Sequence, residues 1–281
     1  MPDLQRVLVL GAKGTLGTQL MRVLPGAIGW DREEADVLDA PGLEARLDGL
    51  SHRPGAVIDC VAFNDVDGAE DHPAQAFALN AEFPGRLARW TAAHDVPLVH
   101  YSTNYVFDGE CGEYAEGDAP APLSVYGQSK RRGEELVLEA GGPCYVVRTA
   151  VIFGPKGISE LSKRSFVEIM LQLAATRDSV EAVADEVNSV TYAPDLAGAT
   201  RDLLAAAPPP GIYHATNQGA ASWFDMAGEI FRVTGQNVIL KPVPSTRFPR
   251  KAKRPARAVL MNSKLPPLRP WQHALTEFLV K

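Results

Sequence analysis

A tyrosine and a lysine four residues apart, in Tyr126-Gly127-Gln128-Ser129-Lys130, raise the first expectation of chemistry. Residues four apart share one face of a helix, so a phenol and an ammonium can serve the same reacting atom. A phenol exchanges protons poorly near neutral pH, because its ordinary pKa is about 10. A neighbouring ammonium stabilises the phenolate and is expected to draw that value toward working pH. Upstream, Tyr101-Ser102-Thr103-Asn104-Tyr105-Val106-Phe107 ends an apolar run with two hydroxyls, Ser102 and Thr103. At the carboxyl edge of a sheet, one hydroxyl can bind a substrate carbonyl while Tyr126 donates a proton. By itself Tyr-x-x-x-Lys also describes two ordinary exposed helix residues. Its place after a hydroxyl-rich strand end is what gives it weight.

Proton donation to a carbonyl needs a hydride source, and Gly11-Ala12-Lys13-Gly14-Thr15-Leu16-Gly17 suits one. It lies between the apolar run Arg6–Leu10 and a helical pattern through Leu16, Leu20, Val23 and Leu24. Glycines there permit a tight turn, close approach of N–H groups to a pyrophosphate, and close helix packing. The positive helix end then faces the phosphates. Roughly 20 residues on, Asp31 would accept ribose hydroxyls, whereas Arg32 and Lys13 would favour a 2′-phosphate. NADPH and NADH both remain open, and Asp36-Val37 is placed to cap the adenine.

Strands are expected at 27–30, 56–61, 97–101 and 144–148, with helices at 73–93 and 126–139 between them. Such alternation implies right-handed β-α-β units and a parallel, doubly wound Rossmann-type sheet. After Gly154 the rhythm becomes irregular, with helices near 165–175, 193–206, 223–233 and 271–280 and strands at 180–184 and 212–214. We therefore expect a dinucleotide-binding domain over 1–154 and a smaller α/β substrate-binding domain over 155–281, interleaved with the first.

The 281 residues are 46% hydrophobic and 22% charged, an ordinary globular balance. No run reaches the ~20 apolar residues of a membrane span, and no signal-peptide core follows Met1. A cytoplasmic enzyme is expected. Cys60, Cys111 and Cys144 are isolated, which points to neither a metal site nor a disulfide framework. A formal net charge of −6 argues against nucleic acid. The basic run Arg247, Arg250, Lys251, Lys253, Arg254 and Arg257 suits a solvated face or a diphosphate clamp, with Arg254 the preferred cation.

These residues together resemble the dTDP-4-dehydrorhamnose reductases of the extended short-chain dehydrogenases, whose glycine loop also reads G-x-x-G-x-x-G. The resemblance extends to Val66-Asp67-Gly68-Ala69-Glu70, Asn80-Ala81, the segment Ser102–Lys130, Arg148-Thr149, Ala193-Pro194-Asp195-Leu196-Ala197 and Gly211-Ile212-Tyr213-His214. It implies reduction of a nucleotide-linked 4-keto-6-deoxy sugar, with Thr103 polarising the carbonyl, Tyr126 as acid and Lys130 as activator. It also implies that Gly14-Thr15-Leu16, Asp31, Asp36-Val37, Cys60-Val61-Ala62 and Tyr101 line the cofactor. Ser102, Thr103, Asn104, Tyr105, Val151 and Arg254 would then face the sugar nucleotide.

The chain departs from the family pattern at Asn104, where Asp is usual, and at Val151, where Trp is usual. Asn188-Ser189-Val190-Thr191 likewise replaces Gly-x-Pro-Thr. Two other readings stay open. The regulatory β subunit of methionine adenosyltransferase looks similar, keeps the Tyr and Lys and also lacks that Trp. A sugar-nucleotide epimerase is the other, while Asn104-Tyr105 lacks the carboxylates that a dehydratase uses. A homodimer is one assembly open to such a chain.

Overall fold

The computed structural model describes residues 4–159 and 164–280. Val7–Leu10 forms β1, and its four apolar residues are almost wholly buried, as a strand covered on both faces requires. Thr15–Val23 follows as α1, then Ile28–Trp30 as β2, Ala40–Asp48 as α2 and Ala56–Asp59 as β3. Val66–Asp71 (α3), Pro73–Phe77 (α4) and Phe83–Ala93 (α5) lead to Leu98–Thr103 (β4). Gly112–Tyr114 (β5), Val125–Glu139 (α6) and Cys144–Thr149 (β6) complete the first half.

The helix expected over 73–93 is interrupted by a π turn at Ala78–Glu82. Pro84 explains it: proline offers no N–H to the Asn80 carbonyl one turn back, and its ring crowds that oxygen. The widened turn brings Asn80 into use. Its amide pairs with both backbone groups of Phe63 and donates to Ser129 Oγ of α6 at 3.0 Å.

The second half adds Ile152–Phe153 (β7), Phe166–Thr176 (α7), Ser179–Val183 (β8), Val187–Ser189 (β9) and Thr191–Tyr192 (β10). Ala193–Ala206 (α8), Gly211–His214 (β11), Ala220–Ser222 (β12) and Trp223–Thr234 (α9) come next. Ile239–Val243 (β13), Arg257–Leu260 (β14) and Trp271–Val280 (α10) end it. Six parallel strands make the central sheet in the order β11-β6-β4-β3-β1-β2. The fold is the doubly wound α/β sheet that the alternation of elements led us to expect.

Helices α1 and α8 cover one face, burying Leu16, Leu20, Leu196 and Leu203 against Val9, Ile58 and Val147. Helices α2, α5 and α6 cover the other through Leu43, Phe83, Leu87 and Val137. A further core, including Phe153, Tyr192, Ile230 and Trp271, holds the second half together. The halves exchange elements. β11 is an edge of the central sheet, and β14 pairs in parallel with β5 inside a four-stranded sheet.

Candidate active site

Three strand ends and two helix starts converge where β1 separates β2 from β3, the switch point at which such sheets bind ligands. Gly11 turns there with φ of 75°, and its N–H donates to Trp30 O at 2.8 Å. A Cβ on Gly17 would lie 2.2 Å from the Gly11 carbonyl oxygen, so only glycine lets α1 approach its own loop. Gly14 at the helix start has no side chain to cap it, which leaves the first N–H groups to an outside acceptor.

A cleft of ≈ 1070 Å³ runs along this edge, at the upper end of the ~300–1,000 Å³ usual for ligand sites. Trp30, Asp31, Arg32, Asp36 and Val37 wall one end, and Gly11, Gly14, Thr15 and Leu16 form the middle. Val61, Ala62 and Val151 follow toward the second half. A glycine-floored channel with an uncapped helix start at its centre fits a dinucleotide. Asp31 accepts the N–H groups of Lys13 at 3.0 Å and Arg32 at 2.9 Å, so it also shapes the loop. The Lys13 ammonium is paired with Glu33. Cys60, Gly17 and Lys13 do not line the cleft, nor do Thr103, Tyr126 and Lys130, which lie at the end of β4 and on α6.

On the neighbouring strand, Thr103 is buried and its Oγ1 accepts the Tyr105 N–H at 3.2 Å. Tyr126 begins α6, where Ser124 caps the helix and Glu70 accepts the Val125 N–H at 2.8 Å. A Cβ on Gly127 would sit 2.3 Å from Tyr105 O, so this glycine is what lets α6 press against the end of β4. The Tyr126 side chain hydrogen-bonds that of Thr103, and its ring meets Tyr105 edge-on at 6.1 Å.

The phenol does not behave as its lysine neighbour suggested. Part of the tyrosine is accessible, yet its hydroxyl end lies deep enough that burial pushes it up to about 12. Thr103 opposes that rise, and Lys130 is not among the causes. The buried Lys130 ammonium turns elsewhere, donating to Tyr101 O at 2.5 Å with His100 Nε2 at 3.4 Å. Burial lowers it to about 8 against the pull of Asp59 and Glu134.

Four other residues expected at the site are buried or have protein partners of their own. Tyr101 points into the core and its hydroxyl meets Thr200 Oγ1 at 2.5 Å; only its carbonyl faces α6. Ser102 is buried and its hydroxyl has no hydrogen-bond partner among the described residues. Asn104 spends both amide N–H groups inside the protein, on Asn188 Oδ1 at 2.7 Å and Ala258 O at 2.9 Å. It fastens β4 to β9 and β14 instead of facing the cleft.

Arg254 is no free clamp, since Asp67 and the Ala252 carbonyl occupy it and it hydrogen-bonds Tyr105. Arg247, Arg250, Lys251 and Arg257 are likewise paired, with Glu181, Glu186, Asp71 and Glu113. Five of the six cations of the basic run are held in ion pairs.

Sequence reasoning passed over Lys156, Arg164, Phe166 and Trp223, which wall the cleft from the second half. Phe166 and Trp223 form a tilted pair 4.8 Å apart. It also passed over Asp59 and His100, although a His inside the apolar run 97–101 was a visible signal. Among the described residues, no group of three or more His, Cys, Asp or Glu could hold a metal, and no helix could cross a membrane.

With a dinucleotide-sized cleft on the same sheet edge as a threonine–tyrosine pair, the chain falls among nicotinamide-dependent oxidoreductases of the short-chain dehydrogenase type. The family model described as the RmlD substrate binding domain matches residues 5–281. A probable dTDP-4,6-dihydroxy-2-methyloxan-3-one 4-ketoreductase of Streptomyces antibioticus is 39% identical, covering 97% of this chain and 94% of its own. A dTDP-4-dehydrorhamnose reductase of Streptomyces griseus is also 39% identical, over 97% and 92%. The crystal structure of a dTDP-4-dehydrorhamnose reductase of Bacillus anthracis in complex with NADP has a TM-score of 0.91 at 30% identity, with 98% of each chain covered. The chain belongs to the dTDP-4-dehydrorhamnose reductase family.

Proposed function

We propose that the chain reduces a dTDP-linked 4-keto-6-deoxy sugar to the alcohol, using NADPH or NADH. The carrying observation is the hydrogen bond between the Thr103 and Tyr126 side chains at the carboxyl end of β4. Bound nicotinamide would supply the hydride that the keto carbon accepts.

Tyr126 acts as the acid. Burial keeps its phenol protonated at neutral pH, and once the hydride has bonded to the keto carbon the C=O π pair rests on oxygen, leaving an alkoxide that is a stronger base than phenolate. The proton passes from the Tyr126 hydroxyl to that oxygen, so the carbonyl becomes a secondary alcohol. Thr103 holds the carbonyl oxygen in line with Tyr126, and Lys130, whose ammonium is turned to Tyr101 O, is left to hold the ribose of the bound nicotinamide. Val151, Phe166 and Trp223 wall the end of the cleft opposite the adenosine site, where the sugar nucleotide would enter.

The test is a panel of dTDP-4-keto-6-deoxy sugars with NADPH and NADH, read as falling nicotinamide absorbance. Turnover of at least one sugar is expected. Failure of all of them with both cofactors would sink the reading.

A further inference from the structure

Behind Lys130 stand two buried polar residues that the proposed reaction does not use. His100 and Asp59 are 0% and 1% exposed and are neighbours in register on β4 and β3. His100 Nδ1 lies 2.8 Å from Asp59 Oδ2, and its Nε2 lies 3.4 Å from Lys130 Nζ. An ammonium has donors only, so the ring nitrogen that faces it must accept. The ring proton therefore sits on Nδ1 and is donated to Asp59, which fixes the tautomer. Asp59 is fixed in turn, because its other oxygen accepts the N–H of Val61, a residue of the cleft wall, at 3.0 Å.

Packing alone does not call for this arrangement. Apolar side chains of similar size commonly stabilise a core as well as a buried polar pair or better. What the pair does supply is an acceptor. Tyr101 O and His100 Nε2 engage two of the three N–H groups of Lys130 and leave one directed by the other two. We propose that His100 is a positioning residue for Lys130: held in one tautomer by Asp59, it accepts a hydrogen bond that keeps the ammonium charged and aimed at the reacting end of the cleft. The proposal rests on the reductase reading for its purpose, though not for its geometry.

The surroundings agree. Asp59 on β3 and Lys130 and Glu134 on α6 are the charged groups that face His100. Burial, followed by the Lys130 charge, holds the imidazole below its ordinary value, so it stays neutral and able to accept at working pH. Lys130 itself titrates close to that range, and a lost acceptor would leave part of it uncharged.

The test is the Lys130 titration followed by NMR in the full chain labelled with ¹³Cε-lysine, the signal assigned by its absence in Lys130→Met. His100→Leu removes the acceptor, and the Lys130 pKa is expected to fall by about one unit, the scale of one charge-assisted hydrogen bond. The alkaline limb of kcat should move down with it, while KM for the sugar nucleotide stays within about two-fold. His100→Gln offers an amide oxygen that cannot titrate, and should restore both the titration and the limb. Should His100→Leu fail to fold, Asp59→Asn removes the neighbouring negative charge and should lower the Lys130 titration in the same direction. An unchanged Lys130 titration in a folded variant, or no rescue by glutamine, overturns the proposal. The titration needs no substrate, so it stands even if no keto-sugar is reduced.

Discussion

Arg254 grips Asp67 with both ends of its guanidinium, Nη1 to Oδ1 at 3.1 Å and Nη2 to Oδ2 at 2.8 Å. The same arginine hydrogen-bonds Tyr105, whose ring stands edge-on to Tyr126. The ion pair therefore ties α3 to the segment before β14 and steadies the aromatic beside the proposed acid. Its energetic signature is the Asp67 carboxyl, lowered to about 2 first of all by the Arg254 hydrogen bond.

Because that folded value lies below the usual carboxylate one of ~3.9, the stabilisation is present above about pH 4 and fades as pH falls through about 2. The Asp67 side chain is 36% exposed, so solvent screening leaves about 1 kcal/mol of the full linkage. Asp67→Asn should be less stable than wild type by that amount in urea titrations near neutral pH. The difference should shrink toward zero by about pH 2–3. An equal difference at both pH values would mean that the pair contributes by packing alone.

Tyr126→Phe removes the proton donor and little else, since the ring and its edge contact with Tyr105 stay. We expect kcat to fall ~10²–10⁴-fold, the usual range for a lost general acid. NADPH affinity, measured by fluorescence titration, should change less than about three-fold, because the phenyl ring retains the packing. Full activity in this variant would remove Tyr126 from the reaction.

How much of this was legible beforehand depended on whether the signal was local. The strand–glycine–helix start at Gly11–Gly17 and the tyrosine and lysine of α6 could be read directly, because each lies within one turn or one helix. The parallel sheet followed from long apolar runs. β5, β9, β12 and β14 could not be read, since strands of three or four residues carry no usable period. Arg254 looked like a free cation because Asp67 lies 187 residues away, and nothing near either residue announces the pair. Tyr101 was recoverable from strand parity. His100 meets Lys130 of α6, so its neighbour Tyr101 must face the other side of the sheet.

Arg32 and Asp31 stand together on the cleft wall, at the end proposed for the adenosine, and the carboxylate of Asp31 already holds two backbone N–H groups. With Lys13 paired to Glu33, Arg32 is the nearby cation that we expect to meet a 2′-phosphate. Both cofactors should serve, NADPH somewhat better. Arg32→Ala should shift the ratio of kcat/KM for NADPH over NADH toward NADH by up to ~1–3 kcal/mol, the worth of a charge-assisted contact. A ratio unmoved by the substitution would exclude Arg32 from the phosphate site.

Val151 occupies the bend between β6 and β7 with φ of 34°, in the left-handed region that β-branched residues avoid. Such a conformation costs on the order of 1–2 kcal/mol in a residue bearing a Cβ. It is held there by its own carbonyl, which accepts the Thr191 N–H at 3.1 Å and so joins the bend to β10. The side chain meanwhile lines the cleft where the family usually offers a tryptophan. Val151→Gly should therefore split stability from function. Relief of the backbone should offset the lost side-chain contacts and the added freedom of the unfolded glycine, leaving stability within ~1 kcal/mol of wild type. The same change empties part of the wall proposed to face the sugar, so KM for the keto-sugar nucleotide should rise several-fold while KM for NADPH moves little. A stability loss above ~2 kcal/mol would mean that Val151 is an ordinary packed residue and that its backbone stores no strain.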